Sequence, residues 1–197
     1  FEPARLSTGL FFFWRCSPLL YDTHLAGGVL SGAAVLFLAG APPESWPGAL
    51  FLAGLAAVLP DVDHGRAALN QALRKSVPVA GGAANAALRA LLGHRAATHS
   101  LLALAGVAAL LRFAVPVSPP LFWAALAGYL SHLVLDSFNP QGVWWAWPLG
   151  RRWSLREMLP WPFTFETGSR VELWLLRPAL WFGAVLLVAR CLGAALR

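Results

Sequence analysis

Charge is scarce in this chain, and that scarcity sets the class of protein. Asp, Glu, Lys and Arg make up 12% of the 197 residues and hydrophobic types 58%, a balance that excludes an ordinary water-soluble domain and fits a polytopic membrane protein. The short alternating segments of a spanning barrel are missing. The apolar runs are instead continuous and rich in Leu, Ala and Gly, so the spans are expected to be helices. Cysteine is nearly absent: Cys16 and Cys191 form no CxxC and no zinc-ribbon spacing, and two such residues say little about redox compartment. There is no HExxH helix, which argues against an intramembrane metalloprotease. The net charge of +6 is spread through inter-helix loops rather than forming a dense stripe beside stacking aromatics. The expected partners are therefore anionic lipid headgroups, with no nucleic acid.

What is present is a series of apolar runs separated by proline. Residues 1–20 hold a patch, Leu10 to Trp14, that is broken by Arg15 and Pro18. It is too short to span and lacks a small-residue cleavage pattern, so it reads as an interfacial segment. Residues 21–197 read as one membrane-embedded, all-α domain of about five spans: Leu25 to Ala41, Gly48 to Leu59, Ala96 to Val115, Leu121 to Phe138 and Val171 to Leu196. Gly28 and Gly32, four apart, offer the first span a close-packing face. The second span is short, which calls for tilt, local thinning or extension by the preceding turn. Residues 65–93 carry Arg66, Arg74, Lys75 and Arg89 among Ala and Leu, the pattern of two short interfacial amphipathic helices. The Trp, Pro and Arg of 139–170 predict an irregular loop at headgroup level. Arg177 and Pro178 predict interfacial or kinked first turns for the last span. This layout places Cys16 and Cys191 too far apart for a disulfide.

Of the fifteen basic residues, Arg112, Arg190 and Arg197 fall on one side of these spans and the other twelve on or near the opposite side. By the positive-inside rule the richer side is cytoplasmic. The same topology brings His24, Asp61, Asp63, His64, His94, His99, Asp136 and Glu172 to the cytoplasmic helix ends, with His132 one turn deeper. All five histidines of the chain thus gather at one face, whereas unrelated core histidines would be scattered over both halves of the membrane.

His132 and Asp136 stand at i and i+4 inside an otherwise apolar helix, so an imidazole and a carboxylate share one face and can reach one cation or pair with each other. His94 and His99 are five apart and not on one helical face; His94 can sit on the turn before the helix while His99 points in from its first turn, or Thr98 and Ser100 can make the stretch a polar cap. Asp61-Val62-Asp63-His64 reads either as a ligand cluster or as a capping turn after Leu59-Pro60. Arg95 suits a phosphate or carboxylate through its planar fork, or snorkels as a positive-inside residue. Glu172 reads as a ligand, a general base or a first-turn acid. Together, histidine nitrogens and carboxylate oxygens suit zinc, manganese or iron, and more than four ligands point to two or more ions.

The segments Gly93-His94-Arg95-Ala96-Ala97-Thr98-His99-Ser100, Leu59-Pro60-Asp61-Val62-Asp63-His64, Gly128-Tyr129-Leu130-Ser131-His132-Leu133 with Asp136, and Gly142-Val143 before Trp147-Pro148 resemble the YdjM-like family of bacterial inner-membrane, metal-dependent hydrolases. The resemblance covers about His24 to Glu172. It implies a metal site at His24, Asp61, Asp63, His64, His94, His99, His132 and Asp136. Asp63, Arg95 and Glu172 are the candidate catalytic residues, Arg95 and Glu172 from the side-chain chemistry above rather than from the resemblance. The expected function is an integral membrane hydrolase in which two or three divalent ions, zinc foremost, activate water against a lipid-linked ester or phosphoester at the cytoplasmic leaflet. Its rival is a non-catalytic metal-binding or transport protein. Transport needs ligands in both membrane halves, and the outer turns offer only Glu44.

Overall fold

The structure, a computed structural model, describes residues 21–63, 97–155, 158 and 168–195. The segment 1–20 with Cys16, the amphipathic helices expected in 65–93, and His64, His94 and Arg95 lie outside the described residues. Among those described there are five α-helices, α1 Tyr21–Leu38, α2 Trp46–Val58, α3 Leu101–Ala109, α4 Pro119–Ser137 and α5 Arg177–Ala195. The only β pairing among them is an isolated antiparallel bridge between Val143 and Trp153.

Proline sets most of the helix ends. Pro47 and the pair Pro119-Pro120 sit in the first turns of α2 and α4, where a missing N–H leaves no hydrogen bond unmade. Pro60 cannot continue α2, and the chain tightens into the 3-10 turn Leu59–Asp63 that delivers Asp61. Val115 precedes Pro116 and is driven out of the helical region to φ −130°, ψ 70°, which ends the π-helical turn Leu110–Ala114 following α3. Pro178 enters α5 just after another π-helical turn, Glu172–Leu176. That wider turn relieves the clash between the proline ring and the preceding carbonyls, and it is the irregularity that Arg177-Pro178 led one to expect.

α2 packs between α1 and α4, α1 also lies against α4 and α5, and α3 leans on α4. The three inner helices close on one point. A Cβ added to Gly32 would lie 2.6 Å from the Ala53 Cβ, and one added to Gly28 or Gly128 would run into the Ala53 carbonyl group. The glycine face of α1 is therefore used in packing.

Most buried side chains are small or polar, Ala26, Ala33, Ala49, Ala53, Ala57 and Ala124 beside Thr23, His24, His132 and Asp136, with Leu36, Trp46, Tyr129 and Leu133 among the larger exceptions. The exposed ones include Leu38, Phe51, Leu102, Phe113, Trp123, Trp174 and Phe182. Such a surface is a liability in water and is ordinary in hydrocarbon.

By length and composition one described stretch, Glu172–Gly193, is long and apolar enough to cross a membrane, while Leu101–Ala114 is apolar but shorter. α1 and α4 reach 18 and 19 residues but carry Asp22, Thr23 and His24, and His132 and Asp136, which lowers their apolarity. The expected third span is also trimmed, since residues 97–100 form a turn and the helix starts at Leu101.

Candidate metal centre

The connectivity of the bundle alternates direction, so the N-terminal end of α1, the C-terminal end of α2, the turn before α3 and the C-terminal half of α4 meet at one end. Each contributes. His24 comes from the first turn of α1, Asp61 from the 3-10 turn after α2, His99 from the turn before α3, and His132 and Asp136 from α4. Ser100 caps α3, accepting from Ala103 N at 3.2 Å, and its hydroxyl donates to the Ala97 carbonyl at 2.6 Å. The Tyr129 hydroxyl donates to the Thr98 carbonyl at 2.6 Å. Capping and the placement of His99 in the cluster therefore coexist in this turn.

Asp136 is the hub. Its Oδ1 faces His24 Nε2 at 3.3 Å, and its Oδ2 faces His99 Nε2 at 3.3 Å and His132 Nε2 at 3.4 Å. Asp61 Oδ1 lies 3.5 Å from His99 Nε2. Two groupings, His24 with Asp61 and His132, and His99 with His132 and Asp136, each bring their ligand atoms within 4.8 Å of one another. The i to i+4 pair thus faces the same point as the other three residues. His24 and His132 stack with ring centroids 3.9 Å apart.

Hydrogen bonds set the rings. His132 Nδ1 lies 2.7 Å from the Ala57 carbonyl; a carbonyl only accepts, so Nδ1 carries the proton and Nε2 turns a lone pair to the cluster. His99 Nδ1 is 3.1 Å from the Thr98 hydroxyl, and the Nε2 atoms of His99 and His132 are 3.1 Å apart. Two imidazole lone pairs at that separation repel each other unless a proton or a cation lies between them. His24 Nδ1, His24 Nε2 and Asp136 Oδ1 are buried without a hydrogen-bond partner among the described residues, a state expensive in an apolar interior. The donor set and these unsatisfied atoms fit divalent metal, with the N/O ligand chemistry of zinc, manganese or iron.

Asp61 and His99 lie just outside the helices. Burial alone would raise the Asp61 carboxyl, but contact with His99 and the nearby ring of His132 outweigh it and hold it at about 2. Burial would lower His99, yet its contacts with Asp136 and Asp61 raise it to about 9. At neutral pH His99 therefore keeps its proton, facing Asp136 and Asp61.

Glu172 is fully buried and belongs to neither grouping. Its Oε1 accepts from the Thr23 hydroxyl at 2.7 Å and its Oε2 from Gly168 N at 2.7 Å. The carboxylate thus ties the start of α1 to the start of α5. Asp63 is placed at the end of its 3-10 turn, and His64, His94 and Arg95 lie outside the described residues.

The sequence reading missed the Ala57 carbonyl, which carries no residue-type signal. It also missed Asn139, Gln141 and Arg152, which line a cleft opening on His99 and Asp136. The Asn139-Pro140-Gln141-Gly142 turn directly after the Asp136 helix was the available clue. The cavity volume of about 20 Å³ is enough for one water.

No solved structure matches this chain. Inner membrane protein YdjM of Escherichia coli (strain K12) is 36% identical over 123 residues, covering 60% of this chain and 56% of that protein. Inner membrane protein YdjM of Shigella flexneri gives the same figures, so the chain spans little more than half the length of these curated relatives. A family profile described as YdjM inner membrane protein matches residues 19–196. With the whole described bundle inside that match, the chain belongs to the YdjM family of inner-membrane proteins.

Proposed function

We propose that this chain is a multi-pass inner-membrane hydrolase that holds two or more divalent ions, zinc foremost, at the cytoplasmic end of its bundle and cleaves a lipid-linked ester or phosphoester. One observation carries the reading: five ligand residues from four separate chain segments converge in a buried cluster that opens to a polar cleft. Five ligands exceed the four of a closed zinc site, before Asp63, His64 and His94 are added. The exposed apolar belt and the excess of basic residues at the site end support the multi-pass, cytoplasm-facing arrangement.

Bound there, the ions would lower the pKa of water and polarise the scissile group. The residues of the chain do the positioning. The Ala57 carbonyl fixes His132, Asp136 presents one oxygen to His24 and the other to His99 and His132, and Glu172 braces the two helix starts beside His24. Asp63 is a catalytic candidate as well as a ligand candidate, and Arg95 is proposed as a headgroup anchor. Convergence at the membrane surface favours a membrane-borne substrate.

Turnover of lipid phosphoesters and esters by protein in lipid vesicles tests this. Hydrolysis that is abolished by chelator, restored by zinc and lost in Asp136→Asn is expected. Stoichiometric metal with no turnover of any lipid would instead leave a non-catalytic metal-binding protein.

A further inference from the structure

The loop after α4 forms the wall of the cleft facing the cluster, and it is firmly built. Val143 and Trp153 exchange both backbone hydrogen bonds at 2.8 Å, and the Ser154 hydroxyl donates to the Asn139 carbonyl at 2.9 Å. Gly142 takes φ 63° so close to Trp153 that a Cβ would lie 2.5 Å from its carbonyl oxygen, so no other residue fits this turn without strain. Two neighbouring arginines follow different courses. Arg151 lies over the Trp153 ring at 5.7 Å, whereas Arg152 lines the cleft beside Asn139, Gln141, His99 and Asp136 and forms no ion pair with any described acid. The acid that lines the cleft, Asp136, already faces histidines. A guanidinium fork and two carboxamides opposite a cation-binding cluster make a site for a multidentate oxyanion.

We propose that Arg152, exposed at the open mouth of the cleft, binds with Asn139 and Gln141 the phosphoryl group of a phosphomonoester that sits at that mouth, outside the part that admits one water, with its phosphorus facing the metal centre. This rests on the reading of the site as a hydrolase and narrows its substrate class from ester or phosphoester to phosphoester. Arg152 is a specificity-determining residue for the proposed phosphoester. The same loop also lines an apolar groove of about 410 Å³, with walls from Val134, Trp145, Trp153, Leu155 and Met158. A hydrocarbon tail matches its lining, which sets the expected order of two sources of the phosphoryl group: a lipid headgroup ahead of free phosphate.

The test is binding, read separately from turnover. Detergent-purified protein of known metal content is titrated with inorganic phosphate, and protein in nanodiscs is compared with and without phosphatidic acid in phosphatidylcholine. Arg152→Ala should weaken phosphate and phosphatidic acid binding about tenfold or more, Arg152→Lys less, and Arg151→Ala about twofold at most. Metal content and melting temperature should stay at wild-type values, as expected for an exposed side chain. Tighter binding to phosphatidic acid than to inorganic phosphate identifies the lipid source, and equal binding a soluble one. Phosphate binding that is absent from wild type, or unchanged by Arg152→Ala, overturns the proposal. Lack of metal in wild type would sink the hydrolase reading instead, by an independent readout.

Discussion

The inner helices α1, α2 and α4 and the outer helices α3 and α5 are built on opposite principles from similar apolar residues. The inner three bury Ala, Gly, His and Asp against one another and bring three backbones together at Ala53. α3 has no buried residue and α5 buries Ala184, while Leu101, Leu102, Phe182, Val185 and Leu192 face outward. The difference shows where position matters. In the inner helices each residue is fixed by a neighbour a few ångströms away, and the same closeness holds the His and Asp cluster in place. In the outer helices the side chains need only suit hydrocarbon, where one large apolar residue serves nearly as well as another.

This contrast can be broken most severely at Asp136. Asp136→Ala should abolish the stabilisation that added zinc gives wild type, which is roughly 3 kcal/mol at a hundredfold excess over Kd, whereas Leu192→Ala on α5 should keep it. Melting curves with zinc and with chelator give both numbers. Next is a matched pair of glycine substitutions. Gly128→Ala drives a methyl into the Ala53 backbone and should cost about 1–3 kcal/mol, while Gly106→Ala on α3 meets nothing within 4 Å and should be neutral or slightly stabilising. If both behave alike in denaturation, the close-packed junction is wrong.

Proton competition sharpens the same comparison. With its pKa raised to about 9, His99 in metal-free protein contributes stability that is complete below its ordinary pKa of 6.5 and is lost as pH rises through about 9. Metal needs the neutral ring, so zinc affinity should climb about tenfold per pH unit through that window, and His99→Gln should flatten both profiles. The smallest effect expected is at Thr23→Val, which removes the hydroxyl that donates to Glu172. It should lower stability by about 1–2 kcal/mol and leave metal stoichiometry unchanged, as measured by melting and elemental analysis.

Much of this was legible because it depends on residue type and period. Proline and the apolar runs gave the helix order, Gly28 and Gly32 gave a packing face, and His24, His99 and His132 could be brought to one end of the bundle because successive helices alternate in direction. What was hidden depends on backbone atoms and on tertiary approach. The Ala57 carbonyl that orients His132 has no side-chain signature, and nothing in Gly128 alone announces Ala53 across the interface. The late start of α3 follows from Ser100 capping it at the edge of the site, where a run of apolar letters suggested an earlier beginning. Arg152 looked like one more headgroup-level cation until the Val143–Trp153 bridge placed it at the cleft.

The central claim is that this cluster holds metal, and elemental analysis of folded, detergent-purified protein prepared without chelator tests it most directly. Wild type should carry more than one equivalent of divalent metal per chain, with the content falling in both His132→Ala and Asp136→Ala while their helical circular dichroism is retained. Folded wild type with no bound metal, or variants that keep the full wild-type content, would contradict the account.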